Sequence, residues 1–279
     1  MADFGLIKLP THGGGFFSNY FCALAMTMIC DQSKLIPYVD FSNTAFVENY
    51  NPYFDGPPPK DAENPWDWWF EQDHPTETDT VTPIEFNLQP FQQDKDIWKR
   101  DDLPHARIIA KKYFHVRLHI LKQVDEHYEK LIKGKITLGV MARGCEMNTY
   151  HSEYGTFTLE SWFNHIPEIL ADHPEINSIF LVTEDSHYIP KFLEKFPNTV
   201  YLDGVFRRTT QTLNQMINIP LWPCFDSARE NHCRLLGEEC LIQAMLLGRC
   251  DYMLIRQCGT ALGATLYATD NLKDVIYVK

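Results

Sequence analysis

The strongest constraint on the fold is an alternation of short apolar runs and helical patterns over residues 133–279. The run Ser178–Val182 is apolar at consecutive positions after its first residue, which is typical of strands covered on both faces of a sheet. Alternating strands and helices predict a parallel α/β sheet of the Rossmann type. The predicted strands and the helices between them are Ile136–Val140, Ser178–Thr183, Thr199–Leu202, Tyr252–Ile255 and Val275–Val278, with Leu159–Asp172, His187–Phe196, Glu238–Leu247 and Thr260–Ala268.

The chain begins in a similar way. An apolar run at Leu6–Leu9 leads into a glycine loop at residues 11–15, a helical pattern over residues 17–31 and a second apolar run at Leu35–Val39. The loop contains His12, Gly14 and Gly15 but matches neither the P-loop nor GxGxxG. It is either a tight strand-to-helix turn or a backbone surface that a diphosphate or a sugar can approach closely.

Residues 51–101 do not follow the alternation of strands and helices, because they contain eight of the 17 prolines. Twelve Asp or Glu stand against four Lys or Arg from Asp55 to Asp101, around an aromatic cluster of Trp66, Trp68, Trp69 and Phe70. Two interpretations stay open for this tryptophan cluster. The rings either pack on the core of an irregular lobe or present flat faces to an acceptor sugar.

A long helical pattern follows from Ala106 to Ile132, with Gly134 as a stop signal. At about 150 residues per domain the length allows two modest domains. We therefore expect an N-terminal domain over residues 1–132, with an irregular acidic and aromatic insert at 51–101. A C-terminal Rossmann-like domain is expected over residues 133–279.

Composition excludes several classes of protein. The chain is 44% hydrophobic, so it is not mainly disordered, and its net charge of −12 disfavours nucleic acid as a partner. The longest apolar run, residues 20–30, is shorter than the about 18 residues that suggest a membrane span. With no visible signal peptide and no CxxC pair among eight cysteines, we expect a cytoplasmic protein with reduced thiols and no metal framework.

Candidate binding residues follow the predicted strands, where open α/β sheets bind ligands. Arg143 follows the first of these strands, and the adjacent carboxylates Glu184 and Asp185 follow the second. The segment Cys258-Gly259-Thr260-Ala261 opens a helix after the fourth. An arginine and a helix N-terminus both suit phosphate, although a surface ion pair and an ordinary helix cap are the common alternatives.

These segments resemble motifs of the fucosyltransferase-type GT-B glycosyltransferases, which include α1,6-fucosyltransferases and protein O-fucosyltransferases. Their first motif, His-x-Arg-x-x-Asp, corresponds to the segment from Met141 to Glu146, with methionine at the histidine position. Their strand ending in Thr-Asp-Asp corresponds to Phe180–Asp185, and of a serine-rich third motif Thr260 keeps a hydroxyl. The resemblance is clear over residues 130–279 and looser over 1–50, where Asn19 falls near a loop asparagine of the family.

The resemblance implies two Rossmann-like domains facing a cleft, a nucleotide-sugar donor in the C-terminal domain, and neither metal nor further cofactor. Arg143 and the groups around Thr260 would hold the donor phosphates, Glu184 or Asp185 the base or ribose, and the N-terminal domain a glycan acceptor. The implied reaction is inverting transfer in the synthesis of glycoprotein glycans. Because the motifs depart from the family pattern, UDP-xylose is as much expected as GDP-fucose.

An inverting transfer needs a base that takes the proton of the acceptor hydroxyl. Glu153 is the first candidate, because α1,6-fucosyltransferases carry their proposed base in the corresponding loop. His12, Glu146 and Asp73 are the alternatives. The compact size and the aromatic insert also resemble small glycosyltransferases that large algal viruses encode for capsid glycans, which would place the protein in the cytoplasm of a host cell.

Two other classes remain for comparison. A non-catalytic nucleotide-sugar or glycan binder of the same fold is consistent with the altered motifs. An epimerase or dehydrogenase is disfavoured, because the chain lacks both GxGxxG and Tyr-x-x-x-Lys.

Overall fold

The computed structural model describes residues 1–8, 15–44, 63–85, 103–143, 158–207, 229–256 and 258–278. The chain divides into two compact units, Met1–Leu121 with Trp222–Glu238 and Lys122–Leu221 with Glu239–Lys279. The first boundary between the units lies after Leu121, eleven residues before the predicted division after residue 132. The stretch that ends at Glu238 groups with the first unit.

Within the described ranges the chain forms ten strands and eight helices, numbered here in chain order. The strands are β1 (Asp3–Lys8), β2 (Ile36–Asp40), β3 (Phe70–Glu71), β4 (Thr80–Pro83), β5 (His115–Val116), β6 (Thr137–Met141), β7 (Ser178–Val182), β8 (Thr199–Tyr201), β9 (Tyr252–Ile255) and β10 (Asp274–Tyr277). The helices are α1 (Phe16–Gln32), α2 (Trp66–Trp69), α3 (Leu103–Tyr113), α4 (Leu118–Leu131), α5 (Leu159–Asp172), α6 (Tyr188–Lys195), α7 (His232–Leu247) and α8 (Gly259–Leu266). None of these helices is long and apolar enough to cross a membrane.

The second unit contains a five-stranded sheet in the order β10-β9-β6-β7-β8, and every pair in it is parallel. The predicted parallel α/β sheet is therefore confirmed. All residues of β6, β7 and β9 are buried, as their continuous apolar runs predict. Counted within this unit, the order is 3-2-1-4-5 reversed, the Rossmann order, in which the direction of winding changes between β6 and β9.

Helix α5 shows why the local prediction succeeds in this unit. Thr158 precedes the helix, and its backbone N–H donates to Ser161 Oγ at 3.3 Å. Apolar residues recur at helical spacing and form a buried stripe that joins the core over β6 and β7. The residues of this stripe are Leu159, Trp162, Ile166 and Ile169.

The first unit contains a three-stranded parallel sheet in the order β2-β1-β4 and a two-stranded antiparallel pair of β3 and β5. Strand, helix and strand at its start agree with the sequence pattern. Helix α1 packs closely on β1, because a Cβ atom added to Gly5 would lie 2.5 Å from Cys30 Sγ. Burial raises the pKa of the Cys30 thiol to about 11, so this cysteine stays protonated.

The tryptophan cluster belongs to the core of the first unit. Trp66 is 1% exposed and Trp69 is 0% exposed. The Trp66 ring stacks on Phe70 at 4.3 Å between centroids, and Trp69 meets Phe16 edge-on at 5.0 Å. A Cβ added to Gly237 would lie 2.3 Å from the Trp69 ring, so the glycine in α7 makes room for this side chain.

The predicted helix from Ala106 to Ile132 is wrong, because the chain forms α3 and α4 with β5 between them. The interruption is a tertiary effect. Phe114, 5% exposed, packs on Trp66 at 4.8 Å between ring centroids, and the Arg117 N–H donates to the Trp69 carbonyl at 2.9 Å. Gly134, with φ of 77°, follows the end of α4 as the stop signal predicts.

Candidate functional site

Three adjacent strands of the second unit carry polar residues directly beyond their carboxyl ends. Val140 of β6 pairs with Leu181 of β7 on one side and Leu254 of β9 on the other. Because the strands are parallel, the residues that follow them meet at the same edge of the sheet. This polar edge contains Arg143 after β6, Glu184 after β7 and Arg256 after β9.

Arg143 and Glu184, both predicted as donor-binding residues, are brought together. Arg143 Nε donates to Glu184 Oε1 at 3.2 Å. Their side chains are 24% and 21% exposed, so a ligand can reach both. Glu184 therefore orients the guanidinium at the partly exposed edge of the sheet.

Arg256 is a member of the polar edge that the sequence argument missed. It is 5% exposed, and its guanidinium pKa is lowered by burial, which outweighs the opposite influence of Cys258. Arg143 lowers it further, since one positive charge disfavours another nearby. A charged residue immediately after the apolar strand β9 was the signal in the sequence.

The helix start at Cys258 lies beside these arginines. Burial raises the pKa of the Cys258 thiol, and Arg143 partly opposes the shift. Cys258 is the N-cap of α8, and the first N–H groups of a helix have no acceptor within the helix. Gly259 and Thr260 are half-buried, whereas Ala261 is fully buried, so the first residues of the helix are partly accessible.

A second cysteine, Cys240 of α7, lies within 3.7 Å of the hydroxyl of Thr260, measured from Sγ to Oγ1. Burial raises the pKa of the Cys240 thiol to about 12. With the pKa of Cys258 raised as well, both thiols are protonated and neutral near pH 7. Among the described residues of the polar edge, the charges are therefore those of Arg143, Arg256 and Glu184, because the two cysteines beside them are neutral.

The adjacent carboxylates predicted to hold a base or ribose differ in their surroundings. Glu184 is half-buried at the polar edge, whereas Asp185 is 0% exposed. The Asp185 N–H donates to Thr183 Oγ1 at 3.2 Å, and its carbonyl accepts from the Tyr188 N–H at 3.1 Å. These bonds belong to the turn that leads into α6, so Glu184 is the more accessible of the two to a ligand.

Two other predicted donor residues, Gly15 and Asn19, lie at the start of α1 in the first unit. Gly15 is the N-cap of this helix, and the buried Asn19 donates from its amide to the Gly15 carbonyl at 3.4 Å. Gly14 lies outside the described residues, as do three candidate bases, His12, Glu146 and Glu153. The fourth candidate base, Asp73, is an exposed side chain of the first unit.

The burial of Trp66 and Trp69 corrects the expectation that they offer ring faces to an acceptor sugar. Their rings are already covered by other aromatic side chains of the core. Trp68 differs, because it is half-buried and its Nε1 donates to Glu63 Oε2 at 3.0 Å. The acceptor role stays a prediction for Trp68.

No protein-family model and no curated protein matches the chain. Several solved structures match the chain. The fucosyltransferase NodZ from Bradyrhizobium is 14% identical with a TM-score of 0.56, over 96% of this chain and 94% of that one. NodZ α1,6-fucosyltransferase co-crystallised with GDP is also 14% identical, with a TM-score of 0.57 over 96% and 93%.

The chain has a fucosyltransferase-like GT-B fold. An Arabidopsis thaliana FUT1 mutant in complex with GDP is a more distant likeness, 9% identical with a TM-score of 0.48 over 100% of this chain and 71% of that one. At these identities the NodZ structures establish the fold and leave activity to be argued from the polar edge. The resemblance to algal-virus enzymes is not tested by these comparisons and stays a prediction.

Metal binding gets no support from the described side chains, among which no three His, Cys, Asp or Glu residues converge. The Asp94-Lys95-Asp96 segment, the one Asp-x-Asp of the sequence, lies outside the described residues. Metal-independent reaction therefore stays a prediction. It depends on whether the arginines of the polar edge can balance the charge of a diphosphate.

Proposed function

We propose that this protein is a glycosyltransferase that moves fucose or xylose from a nucleotide-diphosphate sugar to a hydroxyl group of a glycan. The observation that carries the proposal is the position of Arg143. It lies beside the start of α8 at the point where the Rossmann sheet changes its winding direction. In open α/β sheets this is where nucleotides bind.

The chemistry follows from the charges. The acceptor oxygen forms a bond to the anomeric carbon of the sugar while the bond from that carbon to the diphosphate oxygen breaks. The electron pair of the broken bond stays on the diphosphate, and the proton of the acceptor hydroxyl passes to a base. Arg143 and the N–H groups at Gly259 and Thr260 are donors of the kind that stabilise such a leaving group.

Glu184 contributes by holding Arg143 through the 3.2 Å bond, and its carboxylate is proposed to accept a hydrogen bond from a ribose or a base. For the proton-accepting base we keep Glu153 as first candidate, with His12, Glu146 and Asp73 as alternatives. Trp68 is proposed as a contact for the acceptor glycan. Inversion at the anomeric carbon belongs to the same proposal.

The donor is proposed to be GDP-fucose or UDP-xylose. The NodZ structures favour the first, because NodZ was co-crystallised with GDP and soaked with GDP-fucose. Met141 keeps UDP-xylose open, since a buried methionine, 4% exposed, stands where the resembling GDP-fucose enzymes have a histidine, and its thioether cannot donate a hydrogen bond as that histidine can.

The same methionine favours an alternative function, a nucleotide-sugar binder without turnover. Two measurements separate the possibilities. A thermal-shift panel of GDP, UDP, ADP and CDP, each with its monophosphate, tests binding, because a ligand at 100 times its Kd stabilises the folded protein by about 2.7 kcal/mol. Release of GDP or UDP from GDP-fucose or UDP-xylose, with and without glycan acceptors, then tests turnover.

We expect at least one diphosphate to raise the melting temperature more than its monophosphate, and its sugar donor to be consumed. Stabilisation without consumption of either donor would support the binder. A panel in which no nucleotide changes the melting temperature would overturn both.

A further inference from the structure

Helix α7 belongs to both units, because the boundary between Glu238 and Glu239 falls within it. Glu238 is 7% exposed, and its Oε1 accepts from Arg234 Nε at 3.2 Å and lies 3.2 Å from His119 Nε2, all within the first unit. In the second unit, Glu239 Oε2 accepts from the Phe206 N–H at 3.1 Å. Adjacent residues of one helix are therefore bonded within different units.

The first turns of α7 are fitted to the indole ring of Trp69. This residue is 0% exposed, and its Nε1 donates to the Arg234 carbonyl at 3.0 Å. A Cβ atom added to Gly237 would lie 2.3 Å from Cζ2 of the ring. Glycine in a helix interior costs about 1 kcal/mol relative to alanine, and the space that the indole ring needs explains its presence here. The contact between Trp69 and Gly237 therefore fixes how close α7 lies to the aromatic core of the first unit.

The second half of α7 touches two elements that carry residues of the polar edge. Cys240 Sγ lies 3.7 Å from Oγ1 of Thr260, the second residue of α8. A Cβ atom added to Gly139 of β6 would lie 2.9 Å from Cδ2 of Leu247, the last residue of α7, and β6 leads into Arg143. Such contacts transmit a displacement of α7 rather than absorb it, because protein interiors are close-packed.

We infer that the contact between Trp69 and Gly237 positions the start of α8 through α7, so that the aromatic core of the first unit sets the nucleotide affinity of the second. Gly237 and Cys240 are three residues apart, so only about 4.5 Å of helix axis separates the two contacts. Trp69 and Gly237 are both buried and act as positioning residues. The inference rests on the proposed function, because that function assigns the start of α8 to the nucleotide.

Gly237→Ala tests the inference, because its methyl group would overlap the indole ring and displace α7 from Trp69. Calorimetry measures binding of the nucleoside diphosphate, among GDP, UDP, ADP and CDP, that stabilises the wild type most. The temperature is one at which circular dichroism shows every variant to be folded. Affinity is expected to fall about tenfold, the upper range for the loss of one hydrogen bond. A glycine with a purely structural role would lower the melting temperature and leave the affinity of the folded protein unchanged.

A rescue variant combines Gly237→Ala with Trp69→Leu. The ring atoms nearest to the added methyl group are Cζ2, Cε2 and Nε1, and leucine, which ends at its δ carbons, lacks all three. The double variant is expected to bind the nucleotide within about threefold of the wild type, because the two substitutions compensate at one contact.

Trp66→Leu is the matched control. Trp66 is 1% exposed in the same aromatic core, and its ring packs on Phe70 and Phe114, at 4.3 and 4.8 Å between centroids. This variant is expected to lose stability as Trp69→Leu does and to keep the nucleotide affinity of the wild type. An equal loss of affinity in Trp66→Leu and Gly237→Ala would overturn the inference, as would unchanged affinity in Gly237→Ala or no recovery in the double variant.

If Gly237→Ala fails to fold, the comparison of Trp69→Leu with Trp66→Leu carries the test. Trp69→Leu is expected to bind the nucleotide at least about threefold more weakly, because it removes the Nε1 bond to α7, and equal affinities overturn the inference. A wild type that binds no nucleotide overturns the proposed function and this inference with it. A wild type that binds nucleotide, with the same affinity in the Gly237 and Trp69 variants, contradicts only the positioning role.

Discussion

The two units of the molecule bury different kinds of side chain at their most conspicuous sequence motifs. In the first unit, Trp66 and Trp69 are covered by aromatic rings and leave no open face. In the second, Arg256 is buried beside Arg143 and Cys258 at the end of a parallel sheet. The tryptophans stood out in the sequence and Arg256 did not, yet both are buried in the fold.

The difference teaches how to weigh such motifs. Burying an indole ring stabilises the fold by removing apolar surface from water, so a tryptophan in the core needs no ligand to explain it. Burying a guanidinium near another lowers stability unless something compensates. Groups that are unfavourable for folding are therefore better indicators of a binding site than groups that favour it.

The largest expected effect is a loss of stability when a buried tryptophan of the first unit is removed. Trp69→Ala removes a fully buried ring and its 3.0 Å bond from Nε1 to the Arg234 carbonyl. The free energy of unfolding is expected to fall by about 3–5 kcal/mol, the usual cost of a large cavity. Urea unfolding followed by circular dichroism measures it. Trp68→Ala is the matched control, because Trp68 is half-buried, and a similar loss in both variants would contradict the assigned core.

The next largest effect is a loss of activity when Arg143 is removed from the polar edge of the second unit. Arg143→Ala is expected to lower kcat/KM about ten- to a hundredfold, because a charge-assisted contact contributes roughly 1.5–3 kcal/mol. Unfolding is expected to stay cooperative, since the side chain is not part of the core. Donor-consumption kinetics measure the loss. Wild-type kcat/KM in a folded variant would remove Arg143 from the site.

A smaller effect is expected for Trp68, the half-buried member of the tryptophan cluster. Trp68→Ala is expected to raise the KM for the glycan acceptor a few-fold and to leave nucleotide affinity unchanged, because a partly open ring can stack on a sugar. Initial rates at varied acceptor, with nucleotide binding measured separately, check this. An equal loss of nucleotide affinity would place Trp68 in the donor site, and no change in either quantity would contradict its acceptor role.

The smallest effect concerns metal. Because Arg143 and the N–H groups of α8 can balance the leaving diphosphate, sugar transfer in excess EDTA is expected to lose at most a few-fold in rate. Activity that EDTA abolishes and Mn²⁺ or Mg²⁺ restores would contradict metal independence. In that case a metal ion, rather than the arginines of the second unit, would be the main source of positive charge at the leaving diphosphate.

Sequence patterns predicted the helices and strands well where residues close together in the chain determine the structure. β9 and α5 have the predicted bounds, and the other strands of the second sheet differ by a residue or so at their ends. Arg143 and Glu184 were also predictable, because a strand's carboxyl end is a position that the sequence itself marks. Arg256 occupied an equivalent position and was missed, since no motif pointed to it.

The apolar runs by themselves determined the parallel sheet of the second unit, because a strand buried on both faces has to be apolar at successive positions. Only the tertiary structure decided that β5 interrupts the predicted helix, that Trp69 is covered while Trp68 is not, and that Arg256 lies beside Arg143. Each of these depends on contacts between residues far apart in the chain. Periodicity records which face of an element is apolar, but it does not record which partner covers that face.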